Sequence, residues 1–525
     1  MRTIRYLIQE KFIIAIMKRL GLHSMLENLI WKNKVIKNHS STIANFEMSL
    51  FSIKEKINNS NFLIKIPNKK ILVKGCCIDT RSIKKDLIFM AIKGKNFDGH
   101  NFIETAKEKN AIGAIVEKGQ IKDWMTSLID DKFFLLAVNN VIDAFSELAA
   151  KKRTTWNGKL LSVTGSNGKT TAKEIVSNIL KKEVGSTAQF STTGNQNNHI
   201  GVPLNLLRLR DEHKFAVLEM GMNQIGEISK LSSIVKPNCA LITNAQREHQ
   251  EFLGSVRKTA IENGSVISKL NAKDIVIFPK DIDNEDIWWG FAERNDCSVI
   301  RFSLESDKSI CENKIIFKDV ICKIKCKNPL TVEFYVNKDK MFSTKLNGFG
   351  EHFARTTTAA VAASLALNIS NRSIEKGLKS FTPIEGRGLF HHLEDGSIIV
   401  DDSYNANPDS VRAAINAMLD LNGRKAMVLG DMGELGRDSQ LLHKEILGFA
   451  ALHLDEVFTI GEYFSNASKD LKFGKPHSTA KSLERDVRSW LQPRKTASGT
   501  SVLWVKGSRT SNLDIIVNNL INRNF

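Results

Sequence analysis

At 525 residues the chain is too long for one hydrophobic core, and about three domains are expected. Its 42% hydrophobic and 25% charged content is ordinary for a water-soluble globular protein, and no apolar run approaches the roughly 20 residues needed to span a bilayer. The net charge of +18 raises nucleic acid as a partner, but no Lys/Arg block interleaved with aromatics accompanies it, so the excess reads as scattered surface lysine and no nucleic acid is expected.

Residues 1–47 are unlike the rest. Phe12–Met17 is apolar, but Glu10, Lys11, Lys18 and Arg19 bracket it too closely for a signal peptide or a membrane helix. A basic amphipathic surface helix is one reading. The favoured one is an appendage ahead of a natural start at Met48.

Residues 48–150 read as a smaller α/β domain. Ile71–Asp79, Leu87–Ile92 and Ala111–Glu117 are strand candidates and Phe102–Lys109 a helix. Asp79, Thr80, Arg81 and Ser82 follow the first strand, and Asp98-Gly99-His100 follows the second. Two readings of Asp79 and Arg81 stand. They form a surface turn with an ion pair worth under about 1 kcal/mol, or Arg81 contacts a diphosphate.

Residues 151–383 open on Leu160–Leu180, LLSVTGSNGKTTAKEIVSNIL. Leu160–Val163 predicts a buried strand, Thr164–Gly168 a tight turn, and Ile175, Val176, Ile179 and Leu180 fall at helical spacing. A strand, a Gly-rich turn and a helix N-terminus hold phosphate, because N–H groups of the first helical turn are free and the helix dipole favours an anion. Lys169 would then sit on the β/γ-phosphates and Thr170 on Mg²⁺. The strict G-x-x-x-x-G-K-[ST] pattern fails, because position 163 is Val.

Ser191–Leu207, STTGNQNNHIGVPLNLL, is rich in amides and hydroxyls that either bind a polar ligand or satisfy their own loop. Phe215–Leu218 predicts a strand ending at Glu219, a carboxylate placed to hold Mg²⁺ beside the phosphate loop. Ala240–Thr243 is the next strand, followed by the loop that carries His249, and Ile275–Phe278 is another. Strands alternating with helices predict a mainly parallel, doubly wound sheet.

Residues 384–525 repeat this logic without a phosphate loop. Ile398–Asp401, Ala426–Leu429, Val457–Ile460 and Val502–Val505 each end in polar or glycine-rich residues. They predict a Rossmann-like sheet whose ligand face, at the strands' carboxyl ends, carries Asp402, Asn405, Lys506, Ser508 and Arg509. The seven cysteines are odd in number and scattered, which argues for reduced thiols in a cytoplasmic protein, and Cys322-x₃-Cys326 lacks a second ligand pair for zinc.

The stretches TGSNGKTT, TTGNQNNHIGVPLNLL, LEMGMNQIGEI, ITNAQREHQEFLGS, DDSYNANPDS, VLGDMGELG and VKGSRTSN occur in the order seen in the bacterial Mur ligases. IDTRSIKKDLIFMAIKGKNFDGHNF resembles the uridine-nucleotide domain of the same family. DSYNANP and LGDMGELG are most similar to the branch that adds D-alanyl-D-alanine to UDP-MurNAc-tripeptide. The resemblance spans roughly residues 70–520.

It implies three domains. The first (48–150) binds the UDP-MurNAc end, a central P-loop-type domain (151–383) binds ATP, and a C-terminal domain (384–525) binds D-Ala-D-Ala. It also implies an acyl-phosphate mechanism, ATP and Mg²⁺ as cofactors, and a monomer. Carried over, Gly165, Ser166, Asn167, Gly168, Lys169, Thr170 and Thr171 bind the ATP phosphates. Thr170, Glu219 and His249 are metal candidates, with Lys169, Glu219 and His249 in the catalytic role. Arg387 and Asp402 reach the nucleotide. Asp79, Thr80, Arg81 and Ser82, with Thr193, Asn195, Asn197 and Asn198, face the UDP-peptide.

Two departures stand out. Many family members carry a carbamylated lysine where this chain has Asn263. Asn263 offers a neutral carbonyl oxygen in place of an anionic carbamate, so a second Mg²⁺ is expected to bind more weakly, or to be held by Glu262 or by substrate phosphate. The family's G-x-H-N-x-x-N segment reads Gly350 to Thr356 here, without either asparagine, so base recognition is expected to be looser, or to be carried by His352 and by stacking on Phe353. The alternatives are a sibling ligase adding one amino acid, which DDSYNANPDS disfavours, a UDP-peptide-binding paralogue that does not ligate, and a basic NTPase.

Overall fold

The computed structural model describes residues 42–57, 61–63, 71–94, 96–281, 283–311, 317–492 and 500–522. The expectation for Phe12–Met17 lies outside them. Three sheets are present. The chain divides into two compact units: the described residues through Thr155 with Pro203–Arg210, and Trp156–Val202 with Asp211 onward.

The first unit holds a six-stranded sheet of β1 (Ile43–Ser49), β2 (Asn61–Leu63), β3 (Leu72–Cys77), β4 (Ile88–Met90), β5 (Gly113–Glu117) and β6 (Phe134–Val138), in the order β1-β3-β4-β5-β6-β2. Strands β3 to β6 run parallel, while β1 and β2 add antiparallel edges. Ile43 pairs with Cys77 and Ser49 with Leu72. The ordered domain therefore starts ahead of Met48. Residues 43–47, expected to be appendage, are sheet.

The second unit holds the other two sheets. The nine-stranded sheet contains β7 (Lys159–Thr164), β8 (Gln189–Ser191), β9 (Phe215–Glu219), β10 (Cys239–Ile242), β11 (Ile275–Pro279), β12 (Ser298–Leu304), β13 (Lys318–Lys327), β14 (Leu330–Val336) and β15 (Asp339–Lys345). Its order is β15-β14-β13-β12-β11-β10-β7-β9-β8, parallel from β8 to β13 and closed by an antiparallel β13–β14–β15 meander. The order reverses about β7, so the turn after Thr164 opens at a switch point, where doubly wound sheets bind ligands.

The helix Lys169–Val184 buries Ala172, Ile175, Val176, Ile179 and Leu180. Full burial of such a side chain contributes about 1.5–3 kcal/mol, which fixes the helix against the sheet and its N-terminus at the turn.

The third sheet contains β16 (Leu389–His392), β17 (Ile398–Asp402), β18 (Arg424–Gly430), β19 (Glu456–Ile460), β20 (Lys475–His477) and β21 (Ser501–Lys506), in the order β16-β17-β21-β18-β19-β20. All but β16 are parallel. The cysteines are free, and Cys322 is buried while Cys326 is exposed, which does not suit a shared zinc. No described helix is long and apolar enough to cross a membrane.

Candidate active site

The turn after β7 owes its shape to two glycines. Gly165 has φ +126° and a Cβ there would lie 2.1 Å from Thr243 Oγ1. Gly168, at φ +80°, caps the helix Lys169–Val184, and a Cβ would meet Thr356 Oγ1 at 2.9 Å. Only glycine takes these positions without strain. A second loop, after β10, braces the turn. The Ser166 amide donates to Asn244 O (3.1 Å), the Asn167 amide to Asn244 Oδ1 (2.9 Å), and Thr243 Oγ1 to Asn167 O (2.7 Å). The Gln246 amide donates to Ser166 Oγ at 3.0 Å. Sequence reasoning assigned no role to Thr243, Asn244 or Gln246.

Lys169 Nζ donates to Gly165 O (2.5 Å), Ser166 O (2.9 Å) and the Glu248 carboxylate (3.1 and 3.2 Å). Glu248 is buried and was not expected in the site. The next residue, His249, has φ +51°, an uncommon conformation for a non-glycine residue that clusters at functional sites. Its Nδ1 lies 2.5 Å from Glu434 Oε2 without hydrogen-bond alignment, and its Nε2 lies 3.6 Å from Glu248 Oε1.

Glu219 ends β9 and pairs with Val163, one residue before the turn. It is buried. Its amide donates to Thr192 Oγ1 (2.8 Å), and its Oε1 accepts from Asn197 Nδ2 (2.8 Å). Its Oε2 is buried without a partner. Asn197 Nδ2 also donates to Asn195 Oδ1 at 3.0 Å, so this pair orients the carboxylate. Asn198, which is exposed, accepts the amides of Ile200 and Gly201 at 3.1 and 2.9 Å at the start of the helix Gly201–Leu207. Thr193 is exposed, and its carbonyl accepts from the Gln196 amide at 3.3 Å.

A buried carboxylate oxygen with no partner suits a cation. Glu219 therefore fits Mg²⁺, and the Thr170 hydroxyl stands at the first helical turn. Among the described residues no group of three or more His, Cys, Asp and Glu side chains is disposed to hold a metal ion.

From the third sheet, Arg387 Nη2 lies 3.5 Å from Thr170 Oγ1, and its guanidinium stacks 4.1 Å from the Tyr404 ring centroid. Tyr404 was missed in the sequence, although it sits in the quoted DDSYNANPDS. Burial raises the pKa of its phenol, Arg387 and Arg509 oppose the rise, and Glu219 adds to it. The neighbouring Asn195 side chain also opposes the rise. One phenol thus ties the second-sheet amide loop to the third sheet. Asn407 reaches Asn167 of the turn, donating through Nδ2 to Asn167 Oδ1 at 2.9 Å. Arg247 is clamped by Asp409 (2.7 Å) and Glu445 (2.9 Å), and Arg412 reaches Glu445 at 2.8 Å.

Other expected residues are already engaged. Lys506 is buried. Its Nζ donates to Asp402 Oδ2 (2.8 Å) and Asn405 O (2.9 Å), so Lys506 and Asp402 hold the turn after β17. Ser508 is buried, with its hydroxyl 2.9 Å from that of Thr510. Asn405 and Arg509 are exposed, and Arg509 pairs with Asp514 at 3.0 Å. His352 is exposed on the first turn of the helix Glu351–Ala366. Thr171 is partly exposed on the helix Lys169–Val184.

In the first unit, Asp79 caps the short turn Thr80–Ser82 and pairs with Arg81 at 2.6 Å. Ser82 is buried 2.6 Å from Thr42 Oγ1, and the carbonyl of Thr80 accepts from Lys109. The local ion pair forms, and it leaves Arg81 exposed.

The residues at the two departures are engaged within the fold. Asn263 Oδ1 already accepts from Thr164 Oγ1 (2.8 Å), and its buried Nδ2 is the atom without a partner. Its carbonyl oxygen is therefore committed. Glu262 is buried and accepts the amides of Gly226 and Ile228 at 2.8 and 2.9 Å, as a cap for the helix Glu227–Val235, so it is committed as well. Phe353 is buried in the core, 6.3 Å from Phe381, and offers no face to an adenine. Burying that ring is worth more than exposing it, and a helical residue at that register must face inward.

Family models match three stretches: the Mur ligase family catalytic domain over residues 72–153, the Mur ligase middle domain over 163–364, and the Mur ligase glutamate ligase domain over 386–509. The chain is 32% identical over 455 residues to the UDP-N-acetylmuramoyl-tripeptide–D-alanyl-D-alanine ligase of Buchnera aphidicola subsp. Baizongia pistaciae, covering 86% of this chain and 93% of that one. It is 30% identical to the enzyme of that name from Escherichia coli K12, covering 84% and 92%. A crystal structure of MurF from Acinetobacter baumannii superposes with a TM-score of 0.80 at 28% identity, over 91% of this chain and 100% of that one. MurF from Thermotoga maritima in complex with ADP gives 0.70 at 26%, over 84% and 96%. With three consecutive domain matches and relatives similar over nearly their whole length, the chain belongs to the Mur ligase family.

Proposed function

We propose that this protein is an ATP-dependent, ADP-forming ligase that joins D-alanyl-D-alanine to UDP-N-acetylmuramoyl-tripeptide in peptidoglycan precursor synthesis, acting as a cytoplasmic monomer. One observation carries the reading. The Gly165–Lys169 turn, the unpartnered Glu219 carboxylate oxygen, and Arg387 with Tyr404 meet in one unit at the switch point of the sheet. The names of the relatives supply the substrates.

A carboxylate is a poor acyl donor. In the first step the terminal carboxylate oxygen of the tripeptide attacks the γ-phosphorus, the bond to the bridging oxygen breaks, and ADP leaves. In the second, the dipeptide amine attacks the acyl phosphate carbon, the tetrahedral intermediate collapses, inorganic phosphate leaves, and the amine loses a proton. Bringing two anions together requires positive charge placed in advance. Lys169, the amides of the turn and Arg387 supply it from this chain. Glu219 and Thr170 would hold Mg²⁺, which neutralises phosphate oxygens when bound. Asn195 and Asn197 orient Glu219 and contact the peptide end, and Asp79–Ser82 belong to the domain that takes the UDP end.

Incubation with ATP, Mg²⁺, UDP-MurNAc-tripeptide and D-Ala-D-Ala should release phosphate only when all are present. Running it with meso-diaminopimelate and lysine tripeptides identifies the third residue. Phosphate release without the dipeptide would overturn the reading, and turnover with a single amino acid would point to a sibling ligase. Lys169→Ala should abolish turnover and leave the fold intact.

A further inference from the structure

We propose that Glu248 is a positioning residue for Lys169, a built-in counter-ion that occupies the lysine before nucleotide binds and competes with the triphosphate for it. The inference rests on the reading above that Lys169 serves the phosphates of ATP.

An ammonium has three N–H donors and no acceptor. All three are accounted for: Gly165 O at 2.5 Å, Ser166 O at 2.9 Å and Glu248 at 3.1 Å. The two carbonyls are neutral and belong to the turn itself. Glu248 is the charged partner, and both side chains are largely shielded from water, 13% and 8% exposed. In that setting the pair is screened little by salt. A triphosphate reaching Lys169 therefore exchanges a carboxylate for a phosphate oxygen.

The neighbours of Glu248 fix where it stands. Arg247 is clamped to Asp409 and Glu445, and His249 lies against Glu434; all three acids come from the third-sheet part of the chain. The Glu251 amide also donates to Glu434 O at 3.2 Å. The carboxylate that restrains Lys169 is thus carried on a tripeptide whose two outer residues are held by the region that contributes Asn407, Arg387 and Tyr404. Loosening those contacts releases Glu248, which couples the docking of that region to the availability of the phosphate lysine.

The test is calorimetric binding of a non-hydrolysable ATP analogue to the wild-type protein, Glu248→Gln, Lys169→Met and the double variant. Glu248→Gln keeps the shape of the side chain and removes its charge. It should bind the analogue about tenfold more tightly, with a matching fall in the KM for ATP and no change in the KM for the dipeptide. In the Lys169→Met background the same substitution should change nothing. Unchanged or weaker binding by a cooperatively folding Glu248→Gln would overturn the proposal. So would a gain that persists without Lys169, because general charge repulsion, not competition, would then be the cause. A wild-type protein that binds no nucleotide would instead overturn the ligase reading.

Discussion

The side-chain amides of Asn167 and Asn407 pair reciprocally, although they are separated by 240 positions in the chain. Asn407 Nδ2 donates to Asn167 Oδ1 at 2.9 Å, and Asn167 Nδ2 returns a bond to Asn407 Oδ1 at 3.2 Å. Asn407 is also the N-cap of the helix Pro408–Leu419, its Oδ1 accepting from the Ser410 amide at 2.9 Å. The residue that starts a helix beside the third sheet therefore also holds the Gly165–Lys169 turn of the second.

These two duties separate by mutation. Asn407→Ala removes both and should lower stability by about 1 kcal/mol through the lost cap, with a higher KM for ATP. Asn407→Asp keeps a capping oxygen and loses the amide donor to Asn167. It should unfold near the wild-type denaturant midpoint yet show the raised KM. Equal behaviour of the two variants in both assays would contradict the assignment.

Asn197 should matter through Glu219. Asn197→Ala leaves the carboxylate unoriented, and the Mg²⁺ concentration for half-maximal activity should rise about tenfold, as outer-shell losses commonly do. Glu219→Gln should raise it further or abolish turnover, with the unfolding transition intact. A Mg²⁺ titration of both variants decides the matter.

Tyr404→Phe keeps the ring under Arg387 and deletes the hydroxyl that meets Asn195. The loss of one hydrogen bond, about 1 kcal/mol, should lower kcat/KM for the UDP-peptide several-fold with little change for ATP. Tyr404→Ala also removes the platform for Arg387, so the KM for ATP should rise as well. Steady-state kinetics with each substrate varied separates the two effects.

Glu434 sets an acid limit. Its contact with His249 holds the carboxyl below its ordinary value of 4.5, and burial opposes that shift. A carboxyl depressed in the folded state stabilises it fully above the unfolded pKa, and that contribution is lost as pH falls through the folded value. Stability from this contact should therefore be present at neutral pH and fade below about 4.5. Glu434→Gln should be less stable at neutral pH and should lose less on acidification, measured by denaturant midpoints across the acid range.

Much of the fold was legible because its signals are local. Ile398–Asp402 and Phe215–Glu219 fall almost where their apolar runs place them, since a buried parallel strand must be apolar at nearly every position. The β13–β14–β15 meander was not read. Its strands alternate buried and half-exposed residues, as in LTVEFYV, and that pattern is weak beside continuous apolar runs. The capping roles of Glu262 and Asn198 were illegible for another reason. A carboxylate or an amide near a site looks like a ligand in one dimension, and only the fold reveals that it caps a helix.

The sequence by itself determined the strand, glycine turn and helix proposed to hold phosphate, because each part depends on neighbours within a few residues: φ freedom at Gly165 and Gly168, and helical spacing after Lys169. Only the tertiary structure decided what those groups touch. Lys169 on Glu248, Asn167 on Asn407, Arg387 on Thr170 and Phe353 in the core all join positions distant in the chain. Which partner wins there is set by burial and charge balance among elements that meet only when the sheets are packed.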